Sequence, residues 1–267
     1  MDELNEKGIR KFIDLDKWGV SSFALKIIAA VTMFIDHFAI LFLDNHHTAY
    51  MIARGIGRIS FPIFAFILVE GFYYTANRVK HGITLGVFAI ISEIPYNMMY
   101  GRFFYLENQN VIFTLFIGFM MIWALDSISM YRVNYSDNLL KKVGAGRMNT
   151  VLELMAMLLA FIIAYFMKCS YSYAGIMLIL CFYVFRKYHI GRAVSNIVFN
   201  MGMFGYSIQW LGVFSIIPIA FYNEKPGKYK WKYFFYLFYP IHILILVAVK
   251  MIQLKLSLIH ISEPTRR

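Results

Sequence analysis

Long apolar segments alternate with short polar ones along almost the whole chain. The first, FALKIIAAVTMFIDHFAILFL (residues 23–43), is long enough to cross a bilayer as a helix, since a span needs about 20 residues at about 1.5 Å each. The pattern recurs and predicts nine spans, near residues 23–43, 52–74, 82–100, 111–126, 150–167, 172–186, 193–205, 208–222 and 233–250. We therefore expect an all-α fold, a polytopic transmembrane helical bundle of about nine spans, within a range of eight to ten.

The same pattern divides the chain into one membrane domain and two flanking segments. Residues 1–22 are polar and mixed in charge, and we expect them to form a cytoplasmic lead-in to a single transmembrane domain at 23–250. The segments 193–205 and 208–222 are short, so they are either two spans or one re-entrant hairpin. Residues 256–267, LSLIHISEPTRR, look like the translation of a sequencing adapter, which leaves the natural C-terminus unknown.

Composition excludes an ordinary soluble protein, because 60% of the residues are hydrophobic and only 15% are charged. The net charge of +11 does not indicate a nucleic-acid partner, since the basic residues cluster in the connections on one side of the predicted spans. With the N-terminus in the cytoplasm, 18 of the 26 Lys and Arg residues lie on the inner side. This predicts a multi-pass protein of the bacterial inner membrane, surrounded by lipid, with its N-terminus inside. Its oligomeric state stays open.

Several ionisable residues interrupt the apolar spans. Asp36 and His37 lie about two thirds of the way across the first span, and Arg58 and Glu93 reach a similar depth in the second and third. Charged groups are costly in hydrocarbon, so this layer predicts a functional site. Arg58 would neutralise Asp36 or Glu93, and His37 would face a polar pocket open to the outer half. The alternatives are a His37 that only bonds a neighbouring helix and a purely structural ion pair of Arg58 with Glu93.

Two spacings suggest where substrates bind. Arg54 and Arg58 are four residues apart and share a helix face, which suits a phosphate or carboxylate, although Arg54 is also placed to snorkel to the membrane surface. Lys26 lies eleven residues before His37, about 16 Å lower on the same face, which suits a long anionic donor.

Further polar side chains near the predicted outer ends complete the candidate site. Asn97 follows Glu93 by one turn in SEIPYN, and Gln109 and Asn110 open the fourth span, where amides would orient an acceptor substrate. His242 lies within the last span and either lines the same cavity or packs between helices. The cysteines give no metal-ligand spacing, so we expect no metal.

Specific motifs give the chain a family resemblance. It resembles the TraX family, membrane proteins named for N-terminal acetylation of conjugative pilin. The resemblance rests on LKIIAAVTMFIDH (25–37), RGIGRISFPIFAFILVEGF (54–72), ISEIPYN (91–97), QNVIFTL (109–115), YNEKPG (222–227) and KYFFYLFYPIH (232–242). The chain departs from the family at YSYAG (171–175), where relatives carry Asp-Tyr-Gly, and this departure bears on the choice of acceptor.

The resemblance extends to the wider group of membrane acyltransferases that place a basic residue eleven positions before a histidine in the first helix. It implies acetyl-CoA as donor, held by Lys26, and His37 as general base or, as an alternative, transient acyl carrier. Asp36, Glu93 or an amide would orient the imidazole, and Arg58 or Asn110 would stabilise an oxyanion. The acceptor would be an amine or hydroxyl of an exported pilin-like peptide or of a surface glycan. The alternative function is a transporter or a non-enzymatic factor in conjugation or pilus assembly.

Overall fold

Helices joined by short connections make up the structure, a computed structural model that describes residues 19–134, 145–204, 207–229 and 231–262. The α-helices are α1 (Ser22–Phe42), α2 (Thr48–Gly57), α3 (Ser60–Tyr74), α4 (Arg78–Met99), α5 (Val111–Asn134), α6 (Ala145–Phe166), α7 (Ser172–Val184), α8 (His189–Ile197), α9 (Ile216–Ala220) and α10 (Lys232–Ser262). A π-helical turn, Val198–Gly202, follows α8, and a 3₁₀-helix, Ile208–Ser215, leads into α9.

The prediction of an all-α membrane bundle is confirmed. Within the described ranges, six helices are long and apolar enough to cross a membrane, with α2 and α3 counted together: Ser22–Phe42, Thr48–Tyr74, Arg78–Met99, Val111–Met130, Met148–Phe166 and Tyr233–Ser257. The predicted number of nine spans is not confirmed. The segment 172–186 forms a helix of only 13 residues, and 193–222 is divided among four short helical pieces.

The termini of the sequence fall partly outside this description. Residues 1–18 of the predicted lead-in and residues 263–267 lie outside the described ranges. Helix α10 continues through residues 256–262, the first part of the segment that resembles an adapter.

The second long helix is broken where Pro62 requires it. Proline has no N–H and its ring collides with the carbonyl four residues earlier, here that of Arg58. Helix α2 therefore ends at Gly57, and α3 begins at Ser60. The N–H of Arg58 still bonds back to the carbonyls of Arg54 and Gly55, at 3.2 and 3.1 Å, so the break is a local kink. It lies in the middle of the bundle, beside the 3₁₀-helix.

The helices of the bundle pack around α1 and α3. Helix α1 contacts α2, α3 and α10, while α4 lies between α5 and α10. Helix α7 packs against α3, α5 and α6. Helix α6 is peripheral, because only 11% of its most apolar stretch, within Met148–Phe166, is buried. Its exposed apolar side chains suit a lipid-facing surface.

The segment before α1 is tied to the connection that precedes α10. Val20 N–H donates to the Phe221 carbonyl at 2.7 Å, and Asn223 N–H donates back to the Val20 carbonyl at 3.1 Å. Gly227, with a φ of +93°, closes against Ser21 and Phe23, where a Cβ atom would lie 2.7 Å from either side chain. The YNEKPG motif thus positions the start of the first helix against the approach to the last.

Candidate active site

A cavity of about 290 Å³ lies between α1, the α2–α3 break, the C-terminal end of α4 and α10. Its α1 wall runs from Met33 to Ile40. Tyr100 and Ser170 lie on its walls, at the end of the bundle where α1 and α4 finish and α5 begins. The positive-inside prediction assigns this end to the outer side of the membrane.

Asp36 forms the electrostatic centre of the cavity. Arg58 Nη2 donates to both carboxylate oxygens, at 2.7 and 2.8 Å, and Arg54 Nη1 donates to Oδ2 at 2.6 Å. Arg54 therefore turns inward and does not extend along a membrane surface. All three side chains line the cavity, and together they carry one excess positive charge. An anionic group entering the cavity is favoured by that excess.

Gly57 allows this ion-pair cluster to form. A Cβ atom at position 57 would overlap the Asp36 carboxyl group and lie 2.6 Å from its Cγ atom. Helices α1 and α2 can thus approach closely enough for arginines on α2 to reach a carboxylate on α1. The glycines of RGIGRISFP supply the close approach between helices that small residues provide in membranes.

His37 is oriented by a second histidine. His37 Nδ1 lies 2.7 Å from His242 Nε2, and His242 Nδ1 lies 2.6 Å from the Phe238 carbonyl oxygen. A carbonyl oxygen only accepts, so His242 must carry its proton on Nδ1 and accept through Nε2. The donor to that Nε2 is His37 Nδ1, so the neutral His37 ring carries its proton on Nδ1. His37 Nε2 is then an unprotonated nitrogen. His37 lines the cavity and, in the described part of the chain, its Nε2 has no hydrogen-bond partner.

His242 therefore contacts the cavity histidine but does not itself line the cavity. It is 4% exposed and packs between Phe34 and Phe238. Asp36 was one of the groups expected to orient His37, but its carboxylate binds the two arginines instead. The arrangement matches a base whose second nitrogen is fixed by another residue.

Among the described residues, the carboxylate of Glu93 binds Asn110, and no contact with Arg58 or His37 is present. Its Oε2 accepts from the backbone N–H and the side-chain amide of Asn110, at 3.1 and 2.6 Å. Asn110 immediately precedes α5, so the carboxylate binds at that helix N-terminus, where a negative charge is stabilising. The shared layer of Asp36, His37, Arg58 and Glu93 stays a prediction, and of the two carboxylates offered to Arg58 it is Asp36 that binds it, while Glu93 binds Asn110.

The other predicted binding residues lie outside the cavity wall. Asn97 is buried, and its backbone carbonyl accepts from Tyr100 and Arg102. The backbone of Gln109 bonds to Lys168 and Ser170, holding the turn that carries the cavity residues Ser170 and Tyr171. Lys26 Nζ lies 5.7 Å from the centre of the Phe235 ring, seven residues before the innermost α1 residue of the cavity. None of these, nor Asn110, lines the cavity.

Aromatic side chains and one amide that also line the cavity were not predicted from the sequence. Tyr171 stacks on Phe61 with ring centres 3.8 Å apart, and Tyr239 meets His37 edge-on at 5.8 Å. Gln209 lines the cavity and is 3% exposed. The one available signal for Gln209 was an amide in an otherwise apolar segment, IQWLG. Within the described ranges, no group of three or more His, Cys, Asp or Glu side chains is placed to hold a metal ion.

Comparisons with known proteins agree with the motifs. The sequence profile described as "TraX protein" matches residues 21–250. The chain is 28% identical over 259 residues to a protein of Dichelobacter nodosus named "Probable fimbrial assembly protein FimC, serogroup H1", covering 86% of this chain and 96% of that protein. No solved structure matches the chain.

Proposed function

Because this chain belongs to the TraX family, and because His37 presents an unprotonated nitrogen to a buried polar cavity, we propose that it is an integral membrane acetyltransferase. It moves an acetyl group from acetyl-CoA to an amine or hydroxyl of an exported pilin-like peptide or surface glycan. The observation that carries the proposal is the chain of contacts from the Phe238 carbonyl through His242 to His37. It selects the tautomer that a general base needs.

In the proposed reaction His37 Nε2 takes a proton from the acceptor while the acceptor nitrogen or oxygen attacks the thioester carbonyl. A new bond to the acetyl carbon forms, and the carbon–sulfur bond then breaks. The proton on His37 passes to the departing thiolate, so the imidazole returns to its starting state. His242 accepts from His37 Nδ1 throughout and stabilises the imidazolium that forms between the two steps.

The arginines are the best-placed groups to stabilise the tetrahedral oxyanion. Arg54 and Arg58 both line the cavity, and the charge of Asp36 offsets only one of them. Asn110, the alternative predicted for this role, donates to Glu93 and the Ala89 carbonyl. A guanidinium fixed in a cavity with little water contributes more to catalysis than the same group in solvent.

Acetyl-CoA as donor rests on the family resemblance, and so does its binding by Lys26. The distribution of basic residues supports a cytoplasmic donor, an acceptor from outside and a location in the bacterial inner membrane. The cavity reaches Met33 on α1, about two helical turns from Lys26. Donor binding by Lys26 therefore requires the helices around α1 to separate on that side.

A second candidate is a non-enzymatic factor in pilus assembly or conjugation. The name of the Dichelobacter nodosus relative favours it, since that protein is described by fimbrial assembly and not by a reaction. In that case the buried ion pairs would serve helix packing or the docking of a partner. A transporter is the remaining alternative from the sequence.

Purified protein in nanodiscs with radiolabelled acetyl-CoA and a panel of amine and hydroxyl acceptors tests the enzyme proposal. We expect transfer, or slow acetyl-CoA hydrolysis, that falls about 10²- to 10⁴-fold in His37→Ala, the usual contribution of a general base. His46→Ala is the matched control, because His46 is exposed in the α1–α2 connection. Absence of transfer, hydrolysis and acetyl-CoA binding in folded wild-type protein would favour the assembly factor.

A further inference from the structure

We propose that Gln209 is a positioning residue whose side-chain oxygen accepts an N–H of the acceptor amine in the cavity. The inference rests on the proposed function, since it concerns the acceptor of the same site. A chain of buried amides, Asn196, Asn200 and Gln209, ends at the cavity wall. Gln209 belongs to the 3₁₀-helix and lines the cavity.

The orientation of the Gln209 amide follows from a backbone carbonyl two residues along the hydrogen-bond chain. Asn200 Nδ2 donates to the Asn196 carbonyl oxygen at 2.9 Å, and a carbonyl oxygen only accepts, so the Asn200 amide is fixed. Asn200 Oδ1 then accepts from Gln209 Nε2 at 2.9 Å. The NH₂ group of Gln209 is thereby turned toward Asn200, and Oε1 must point the other way.

The same residues hold this amide rigidly. Asn200 is fully buried on the π-helical turn, and Asn196 donates to Ser215 Oγ at 2.7 Å. Gly212 leaves room for Asn200, since a Cβ atom there would overlap its Oδ1. The backbone N–H of Gln209 donates to Ser207 Oγ at 3.3 Å. A fully connected buried amide network of this kind fixes the position of its last member.

Oε1 is the end of the network that is left to a ligand. Among the described residues Oε1 has no hydrogen-bond partner, and Gln209 lines the cavity. Asp36, by contrast, already accepts three hydrogen bonds from the arginines. A fixed and unsatisfied oxygen in a buried cavity favours ligands that donate to it.

An amine acceptor can use this oxygen in a way that a hydroxyl cannot. A neutral amine carries two N–H bonds, so one proton can pass to His37 while the other N–H donates to Gln209 Oε1, since both residues line the same cavity. A hydroxyl has a single proton, which His37 must remove. Near the aromatic rings of Phe61, Tyr171 and Phe204, the second N–H would otherwise lose the hydrogen bond that it made with water.

The test measures binding without any acyl donor, so it does not depend on turnover. Two labelled peptides are compared that differ only in an N-terminal amine or the corresponding hydroxyl, near pH 9, above the usual amine pKa of about 7.7–8.0. We expect wild-type protein to bind the amine peptide about tenfold more tightly, the effect of one buried hydrogen bond. Gln209→Leu should abolish that preference while leaving the affinity for the hydroxyl peptide unchanged.

Two further variants separate positioning from folding. Asn200→Leu removes the group that orients Gln209 without touching the cavity, and it should also abolish the preference. Gln253→Leu, at an exposed position of α10, is the matched control and should keep it. A preference that survives in Gln209→Leu overturns the inference, and so does an equal loss of both affinities. Binding that behaves as expected in protein that transfers no acetyl group would refute the proposed function alone.

Discussion

Replacing Gly57 by alanine tests whether the approach of α2 to α1 holds the candidate active site together. The new methyl group would lie 2.6 Å from Asp36 Cγ and still closer to two other atoms of that side chain. Asp36 is not free to turn away, because Arg54 and Arg58 hold both carboxylate oxygens. The two helices must therefore move apart.

The size of the displacement follows from these contacts. Restoring an ordinary 3.4 Å contact to Cγ requires a retreat of at least about 0.8 Å, since the two other atoms lie closer still. Added to bonds of 2.6–2.8 Å, that movement puts the guanidinium nitrogens about 3.4–3.6 Å from the carboxylate, outside normal hydrogen-bond range. Overpacking of this kind costs about 1–3 kcal/mol, and a misplacement of about 1 Å at a reacting group costs about 10²-fold in rate.

The assay compares Gly57→Ala with Gly71→Ala in nanodiscs, by thermal unfolding and by acetyl transfer. Gly71 is a fair control because it lies in a helix of the same bundle and an added Cβ would come no closer than 3.7 Å to any neighbour. We expect Gly57→Ala to unfold at a lower temperature and to lose about 10²-fold in activity, and Gly71→Ala to behave like wild type. Normal stability and activity in Gly57→Ala, or equal damage in both variants, would refute the reasoning.

Three other predictions address the remaining parts of the site. His242→Phe removes the nitrogen that accepts from His37, so we expect kcat to fall about 10- to 100-fold with the acceptor KM unchanged. Steady-state kinetics measure both constants, and an unchanged kcat would contradict the prediction. Glu93→Gln keeps an oxygen that can accept from Asn110, so its activity should stay within about threefold of wild type, whereas Glu93→Ala should lower the unfolding temperature. A large loss of activity in Glu93→Gln would instead indicate a chemical role for the carboxylate. Lys26→Met should raise the donor KM and leave acceptor affinity unchanged, since Lys26 lies outside the cavity; a changed acceptor affinity would count against this.

The sequence predicted the elements of the fold well because apolar length is a local property. Each apolar segment coincides with helical structure, and the break before Pro62 follows from proline chemistry. The number of full spans was harder to predict, because a run such as 172–186 is apolar enough for a span but ends after 13 helical residues. Whether a short apolar helix forms a full span together with neighbouring segments depends on tertiary packing, and the apolar pattern of one segment does not specify that packing.

The candidate site was predictable where partners lie close in sequence or depth. Arg58 was expected to pair with Asp36 or Glu93 because helical rise places them at one level, and it pairs with Asp36. Glu93 was placed at the same depth, but depth does not determine the direction in which a side chain points around its helix. His242 contacts His37 across 205 residues, and no local pattern specifies that choice.

The contact between His37 and His242 also orders events during synthesis of the protein. Asp36 meets its arginines within 22 residues of chain, so the first helical hairpin can neutralise its charges soon after it enters the membrane. The imidazole pair must wait until 205 residues have followed His37, about 10–40 s at about 5–20 residues per second. A ribosome that stops before α10 would therefore release a chain with its charges paired and its base unoriented. Under the proposed function, catalytic competence is thus reserved for chains that include α10.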